Sequence, residues 1–179
     1  MRARPLSIPG MAELDSDRHG DARGWFQRAF CGPSLDAAGF PFPIVQANLS
    51  FNAEAGTLRG LHYQAEPLID PKIVRAIRGR CFDVAVDIRP DSPTRGQWAA
   101  VELSAEHGNA VLIPGGCAHG FLTLEPDTEL LYLMGAEYRP ELARGLRWDD
   151  PAFAIAWHGA PVVMNDRDAA YPDWTGWGP

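Results

Sequence analysis

Residues 81–88 (CFDVAVDI) alternate strictly, with Phe82, Val84, Val86 and Ile88 on one side and Asp83 and Asp87 on the other. Only an extended chain puts residues two apart on one face, so this segment is a β-strand that the rest of the chain must supply with neighbours. Upstream, 72–78 (KIVRAIR) sets Ile73, Arg75 and Ile77 against Lys72, Val74 and Ala76, and Gly79-Arg80 turns it into 81–88. Segments 44–53, 57–63, 97–104, 110–113, 119–124 and 129–134 read as further strands, with Asp91-Ser92-Pro93-Thr94 as a turn. Strands spaced ~8–12 residues apart with turns between them point to a sandwich or barrel. No stretch between 44 and 134 offers ten residues of helical period. Helix is expected only near 34–38, with Ser34 as N-cap, and near 167–171. The expected fold is all-β, a jelly roll of two antiparallel sheets with a few short helices. One domain is expected over 1–179: an N-terminal arm with strands (1–43), a barrel core (44–147) and an ordered C-terminal wrap (148–179). That wrap carries Trp148, Trp157, Trp174 and Trp177.

Composition agrees. Glycine (18) and proline (16) make up about 19% of the 179 residues, against a usual ~12%, which favours turns over a helix bundle. At 46% hydrophobic and 22% charged the chain is neither disordered nor fibrous. A net charge of −7 argues against nucleic acid as a partner, which needs a basic surface. It leaves room for one small anion held by local arginines. Cys31, Cys81 and Cys117 are an odd set with no CxxC pair, so neither a disulfide framework nor a thiol zinc site is expected. No signal-peptide run opens the chain and no segment approaches the ~18 apolar residues of a membrane helix, so no membrane partner and a cytoplasmic location are expected. Lys72 is the one lysine among 16 basic residues.

Gly108-x5-Pro114-Gly115-Gly116-Cys117-Ala118-His119 has the spacing G-x5-P-x-G-x-x-H and resembles the second motif of the cupin superfamily. Pro114 and the glycines should force a tight hairpin, with His119 beginning a strand at the barrel mouth. Gly56-x5-His62 resembles the start of the first cupin motif, but the second histidine position is Gln64 and no glutamate follows at the right offset. His19, His107 and His158 sit in loop-like contexts. Two imidazoles rarely hold a divalent ion without further ligands, so no metal is expected. His62 is then free for proton transfer near neutral pH, the natural range of an imidazole.

Together the strings resemble the dTDP-4-dehydrorhamnose 3,5-epimerase family of nucleotide-sugar enzymes. The matching strings are DARGWF (21–26), QANLS (46–50), LRGLHYQ (58–64), KIVR (72–75), DVAVDIR (83–89), SPTRG (92–96), Ile113-Pro114 through His119-Gly120-Phe121, GLRWDDP (145–151) and Asp168. They run in order over nearly the whole chain. The resemblance implies an isomerase acting on a nucleoside-diphosphate 4-keto-6-deoxyhexose. A base removes the hydrogen on C3 or C5, made acidic by the C4 ketone, and an acid reprotonates the opposite face. No cofactor is implied, because the substrate's own carbonyl is the electron sink. By resemblance His62 is the base, Asp168 its partner, Tyr132 the acid, and Lys72 the cation beside the C4 oxygen. Arg23, Arg59 and His119 match diphosphate positions, with Arg167 where a basic residue is common. Gln46 and Asn48 match ligand-bonding positions, and Phe26 and Tyr138 are candidates to stack on the base. Taken alone, Tyr132 reads as a packed sheet tyrosine, Asp168 as a solvated charge or helix cap, Lys72 as a surface lysine and Tyr138 as core. A homodimer is implied, with Arg23–Phe30 reaching the neighbour's site.

Three positions depart from the family's pattern. Arg28 stands where thymidine-using members commonly carry glutamate, and arginine cannot accept the thymine N3–H. Ala143 replaces a frequent glutamate, and Asp70-Pro71 replaces the glutamine expected before Lys72. The acid–base set is intact while part of the ligand envelope differs. An epimerase of C3 or C5 only, one using another nucleotide such as a CDP-linked 4-keto sugar, and a non-catalytic sugar-nucleotide-binding cupin therefore stay open beside the double epimerase.

Overall fold

The computed structural model describes residues 1–176; Trp177 lies outside the described residues. In chain order the elements are β1 (Arg2–Pro5), β2 (Ala12–Asp15), β3 (Arg18–Asp21), β4 (Gly24–Gln27), α1 (Gly32–Ala37), β5 (Gln46–Asn52), β6 (Leu58–Gln64), β7 (Lys72–Arg78), β8 (Arg80–Asp87), β9 (Trp98–Ser104), β10 (Ala110–Ile113), β11 (Cys117–Thr123), β12 (Thr128–Met134), a 3-10 turn (Pro140–Leu142), β13 (Ala143–Gly145) and α2 (Asp166–Ala169). Two sheets face each other. One has the order β1-β2-β10-β7-β12-β5 and the other β13-β6-β11-β8-β9, while β3 and β4 pair with each other alone. Their ladders are antiparallel, as expected of a cupin jelly roll.

Three local expectations are corrected. The Pro114–Gly116 segment is not a hairpin: β10 pairs with β2 and β7, β11 pairs with β6 and β8, and the turn crosses from one sheet to the other. The side chains of Ile69 and Arg89 fill the space where a Cβ on Gly115 or Gly116 would stand. The strand opens at Cys117, two residues before His119. Secondly, α1 is capped by Cys31 rather than Ser34, because Gly32-Pro33 starts the helix earlier and the proline's fixed φ suits its first turn. Ser34 instead donates its hydroxyl to the Cys31 sulfur. Thirdly, His19 lies on β3, not in a loop.

The alternation of β8 is real, but both of its faces are covered. Cys81 and Ala85 share the barrel interior with Val74, Val111, Ile113, Phe121 and Leu130. Val86 packs outside, with Leu61, Ala118, Leu146 and Phe153, beneath Ile155, Trp157 and Trp174 of the tail. The acidic residues thus share the interior face, and the apolar ones lie under the C-terminal wrap. That wrap is fastened by polar contacts: Trp157 Nε1 donates to the Trp148 carbonyl at 2.9 Å, and His158 stacks on Phe82 at 4.0 Å.

Asp87, wholly buried, ties the β8–β9 connection by accepting hydrogen bonds from the Arg89 guanidinium and from the Ser92 and Thr94 hydroxyls. Burial pushes its carboxyl up, but the bonds from Arg89, Ser92 and Thr94 outweigh burial and hold it well below the ordinary carboxylate range. A depressed folded-state value contributes stability that is full at neutral pH and is lost as pH falls through that value. Asp87→Asn should therefore lower the melting temperature at pH 7 and weaken its dependence on pH on the acid side. An acid-side slope as steep as the wild type's in thermal melts from pH 7 to pH 2 would contradict this.

A candidate acid–base site between the two sheets

His62 and His119 are directly paired across β6 and β11, which sets both imidazoles on the same face of the five-stranded sheet. Their close approach depends on Gly60. A Cβ there would lie 2.6 Å from both the Gly120 Cα and the His119 carbonyl, and its φ of +111° is one that side chains rarely adopt. The Gly60 N–H donates to Asp168 Oδ2 at 2.9 Å, while His62 Nε2 meets Asp168 Oδ1 at 2.8 Å. One carboxylate on α2 therefore fixes both the β6 backbone and the imidazole. Asn165 caps α2 by accepting the Asp168 N–H at 2.7 Å, which sets the carboxylate's direction. Asp168 is fully buried. Burial raises its carboxyl, but the His62 and Gly60 hydrogen bonds more than offset this and hold it below the ordinary range. The His62 side chain remains 35% exposed, so its ring can meet a ligand.

Tyr132 stands on β12 of the opposite sheet, beside Asn48 of β5 and Val74 of β7. Its ring packs against the interior cluster and lies edge-on to His119, with centroids 5.9 Å apart. Burial, then the nearby Asp83 and Cys81, raise its phenol well above the ordinary value, while Arg59 acts the other way. Lys72 is buried at the start of β7, with its ammonium 2.7 Å from Asp70 Oδ2. Arg59 is exposed and reaches from one sheet to the other, donating to Asn52 Oδ1 at 2.8 Å and to the Phe51 carbonyl at 3.3 Å.

A cavity of about 110 Å³ lies over His62, lined by Gln64, Asp70, Tyr138, Arg167 and Tyr171 among others. Tyr138 and Arg167 thus stand at the same mouth as His62. Gln46 is tied in through its side-chain oxygen, which accepts the Tyr138 N–H, and Asn48 lies exposed beside Tyr132. His119 is buried, and its Nε2 is 2.8 Å from Asp83 Oδ2. Arg23, Phe26 and Arg28 are not brought to this cavity. Arg23 and Phe26 ride the β3–β4 hairpin, which rests on the β9–β10 connection through Arg18 to the Ala105 carbonyl and Gln27 to the Gly108 carbonyl. Arg23 pairs with Asp21 at 2.5 Å, and Phe26 is 70% exposed. Arg28 follows the hairpin and has its guanidinium 3.9 Å from the Cys31 sulfur.

The sequence reading missed Asp70, Asp83, Gln64 and Tyr171. Tyr171 lies edge-on to His62 at 6.2 Å and fills the space above Gly145. Gln64, at the cupins' second histidine position, is structural: its amide donates to the Leu68 and Glu137 carbonyls and accepts the Arg139 N–H. Asp83 carried a signal, since a buried strand holds a carboxylate only where a partner waits. Among the described residues no three His, Cys, Asp or Glu side chains group to hold a metal ion.

The family model for dTDP-4-dehydrorhamnose 3,5-epimerase matches residues 5–175. The chain is 42% identical to a dTDP-4-dehydrorhamnose 3,5-epimerase of Sinorhizobium fredii over 173 residues, 96% of this chain and 89% of that one. A crystal structure of dTDP-4-dehydrorhamnose 3,5-epimerase from Bacillus anthracis, with TDP and PPi bound, superposes with a TM-score of 0.93 at 36% identity, covering 97% of this chain and 99% of that one. A 3'-monoepimerase from Streptomyces bikiniensis in complex with dTDP-quinovose superposes with a TM-score of 0.87 at 36% identity, covering 94% and 86%.

Asp168→Ala strands the buried Gly60 N–H and should cost about 1–3 kcal/mol of stability. Asp168→Asn keeps an acceptor oxygen and should cost less. Thermal melts at pH 7 check this, and equal melts for the two variants would contradict it.

Proposed function

The chain belongs to the dTDP-4-dehydrorhamnose 3,5-epimerase family of isomerases, and from that premise we propose that it inverts C3 and C5 of a dTDP-linked 4-keto-6-deoxyhexose in deoxysugar biosynthesis. The observation that carries the reading is that an imidazole and a phenol stand on the two opposite sheets, His62 on β6 and Tyr132 on β12, each beside the His119 ring. A sugar ring lying between them would meet a base on one face and an acid on the other. His62 takes the hydrogen from carbon as a proton, and the electron pair moves into the C4 carbonyl to give an enolate. Tyr132, whose raised pKa keeps it protonated, delivers its phenolic proton to the other face. Asp168 holds the ring and stabilises the imidazolium that forms. The Lys72 ammonium stabilises the charge on the C4 oxygen; preorganised charge of this kind is often the largest single catalytic contribution.

Arg59, Arg167, Gln46, Asn48 and Tyr138 would bind the nucleotide around the mouth, with His119 deeper in the barrel. A cavity of about 110 Å³ is well short of the ~300–1,000 Å³ typical of a ligand pocket. We assign the missing wall to a second copy, whose hairpin would bring Arg23 and Phe26, with Arg28 behind them. The outward side of the six-stranded sheet supports this: Leu49, Phe51 and Ile77 are 63%, 53% and 45% exposed, and Trp25 on the hairpin is 61% exposed. The strand β5 also ends its sheet with an open edge. Three unpaired cysteines accord with a reducing cytoplasm, and no helix among the described residues is long and apolar enough to cross a membrane.

The likeness to a monoepimerase keeps single inversion as a second reading. Product analysis by NMR separates the two, and a binding screen of dTDP, UDP, CDP and GDP tests the nucleotide that Arg28 admits. His62→Ala should abolish hydrogen exchange at both carbons while dTDP binding stays within about tenfold; a typical loss on removing a general base is ~10²–10⁴-fold. Retained exchange would take the base role from His62. Mixing inactive His62→Ala with inactive Arg23→Ala should restore up to about a quarter of wild-type activity, since one site in a randomly re-formed heterodimer is intact. No restoration after subunit exchange would contradict the shared site.

A further inference from the structure

The barrel interior holds a second carboxylate–imidazole pair, to which the proton transfers above give no part. Asp83 is fully buried on β8, with Oδ2 2.8 Å from His119 Nε2 and Oδ1 buried without a hydrogen-bond partner. His119 is the cross-strand neighbour of His62, so the two imidazoles sit side by side on one sheet. One is the base held by Asp168, and the other lies edge-on to the Tyr132 ring. An unmatched carboxylate oxygen in a dry interior costs stability, and nothing in the packing of β8 requires it. We propose that Asp83, acting through His119, is a positioning residue for Tyr132: it holds the imidazole that buttresses the phenol and keeps the phenol charged with its proton. The inference rests on reading Tyr132 as the acid.

The groups that act on Tyr132 from the elements around it are Asp83 and Cys81 of β8, His119 of β11 and Arg59 of β6; Lys72 of β7 and His62 of β6 stand on the same inner walls, paired with Asp70 and Asp168, and Asn48 of β5 is uncharged. After burial, Asp83 is the first of these in holding the phenol up, and Arg59 opposes it. Burial also raises the Asp83 carboxyl, while His119 and Lys72 draw it back down. Without the Asp83 charge, Tyr132 would ionise at lower pH, and the His119 ring, held less firmly by a neutral partner, would seat the phenol less well. The base side would be left working, so hydrogen would still leave carbon but would more often return to the face it left.

The test is Asp83→Asn, which keeps an oxygen for His119 and removes the charge. Deuterium exchange and net inversion of a dTDP-4-keto-6-deoxyhexose are read in the same D2O reaction from pH 6 to pH 10. Inversion per exchange event should fall about tenfold or more, and any loss of inversion on the alkaline side should begin at lower pH than in the wild type. In a Tyr132→Phe background the substitution should produce no further fall, since both act through one group. A ratio and an alkaline limb unchanged in Asp83→Asn, or a further fall in the Tyr132→Phe background, would overturn the inference. If near-UV circular dichroism shows that Asp83→Asn does not fold, His119→Gln is read the same way, and an unchanged ratio there overturns it equally. Wild-type protein that exchanges neither hydrogen overturns the epimerase reading, and this inference with it. Wild-type exchange beside an unaltered variant overturns the inference alone.

Discussion

One carboxylate joins the C-terminal segment to the barrel. Asp168 meets His62 across 106 positions of sequence and takes the Gly60 N–H with its other oxygen. These bonds dock the C-terminal segment on β6 and orient the imidazole in the same act. Folding and, on the proposed reading, acid–base chemistry therefore share a contact. A carboxylate buried to this degree is tolerable only when its lone pairs are met, and here Gly60, His62 and, at 3.6 Å, Arg167 meet them.

The polar barrel interior follows from the same economy of partners. Asp83 and His119 are buried together, Lys72 is buried against Asp70, and Asp87 is buried against Arg89, Ser92 and Thr94. The outer face of the five-stranded sheet is the oily one, sealed by tryptophans of the tail.

Much of this could be read from residues. Alternation, β-forming residues and the turns between them located β5 to β12 to within about two residues. The short strands β1, β3, β4 and β13 carried no such mark: they are four residues or fewer and hold no buried side chain, and β2 alternates buried Ala12 and Leu14 over only four residues. Alternation also could not say which face of β8 looks inward, since both are buried and the usual rule of apolar inside inverts where a site lines the core. Pro114–Gly116 looked like a hairpin because proline and glycine mark a reversal without marking which sheet receives the next strand. Asp70 and Tyr171 were illegible as site residues, because their importance lies in what they touch. The hairpin's distance from His62 could be known only from three dimensions.

The central claim is that two different groups on opposite walls handle the leaving and the arriving proton. A single-turnover reaction in D2O, with the inverted carbons analysed by NMR, tests it most directly. A proton taken by His62 is lost from the carbon, and one given by Tyr132 comes from a solvent-equilibrated phenol. Each inverted carbon should therefore carry deuterium. An inverted carbon that keeps the substrate's own hydrogen would mean that one group carries it from face to face, and would contradict the account.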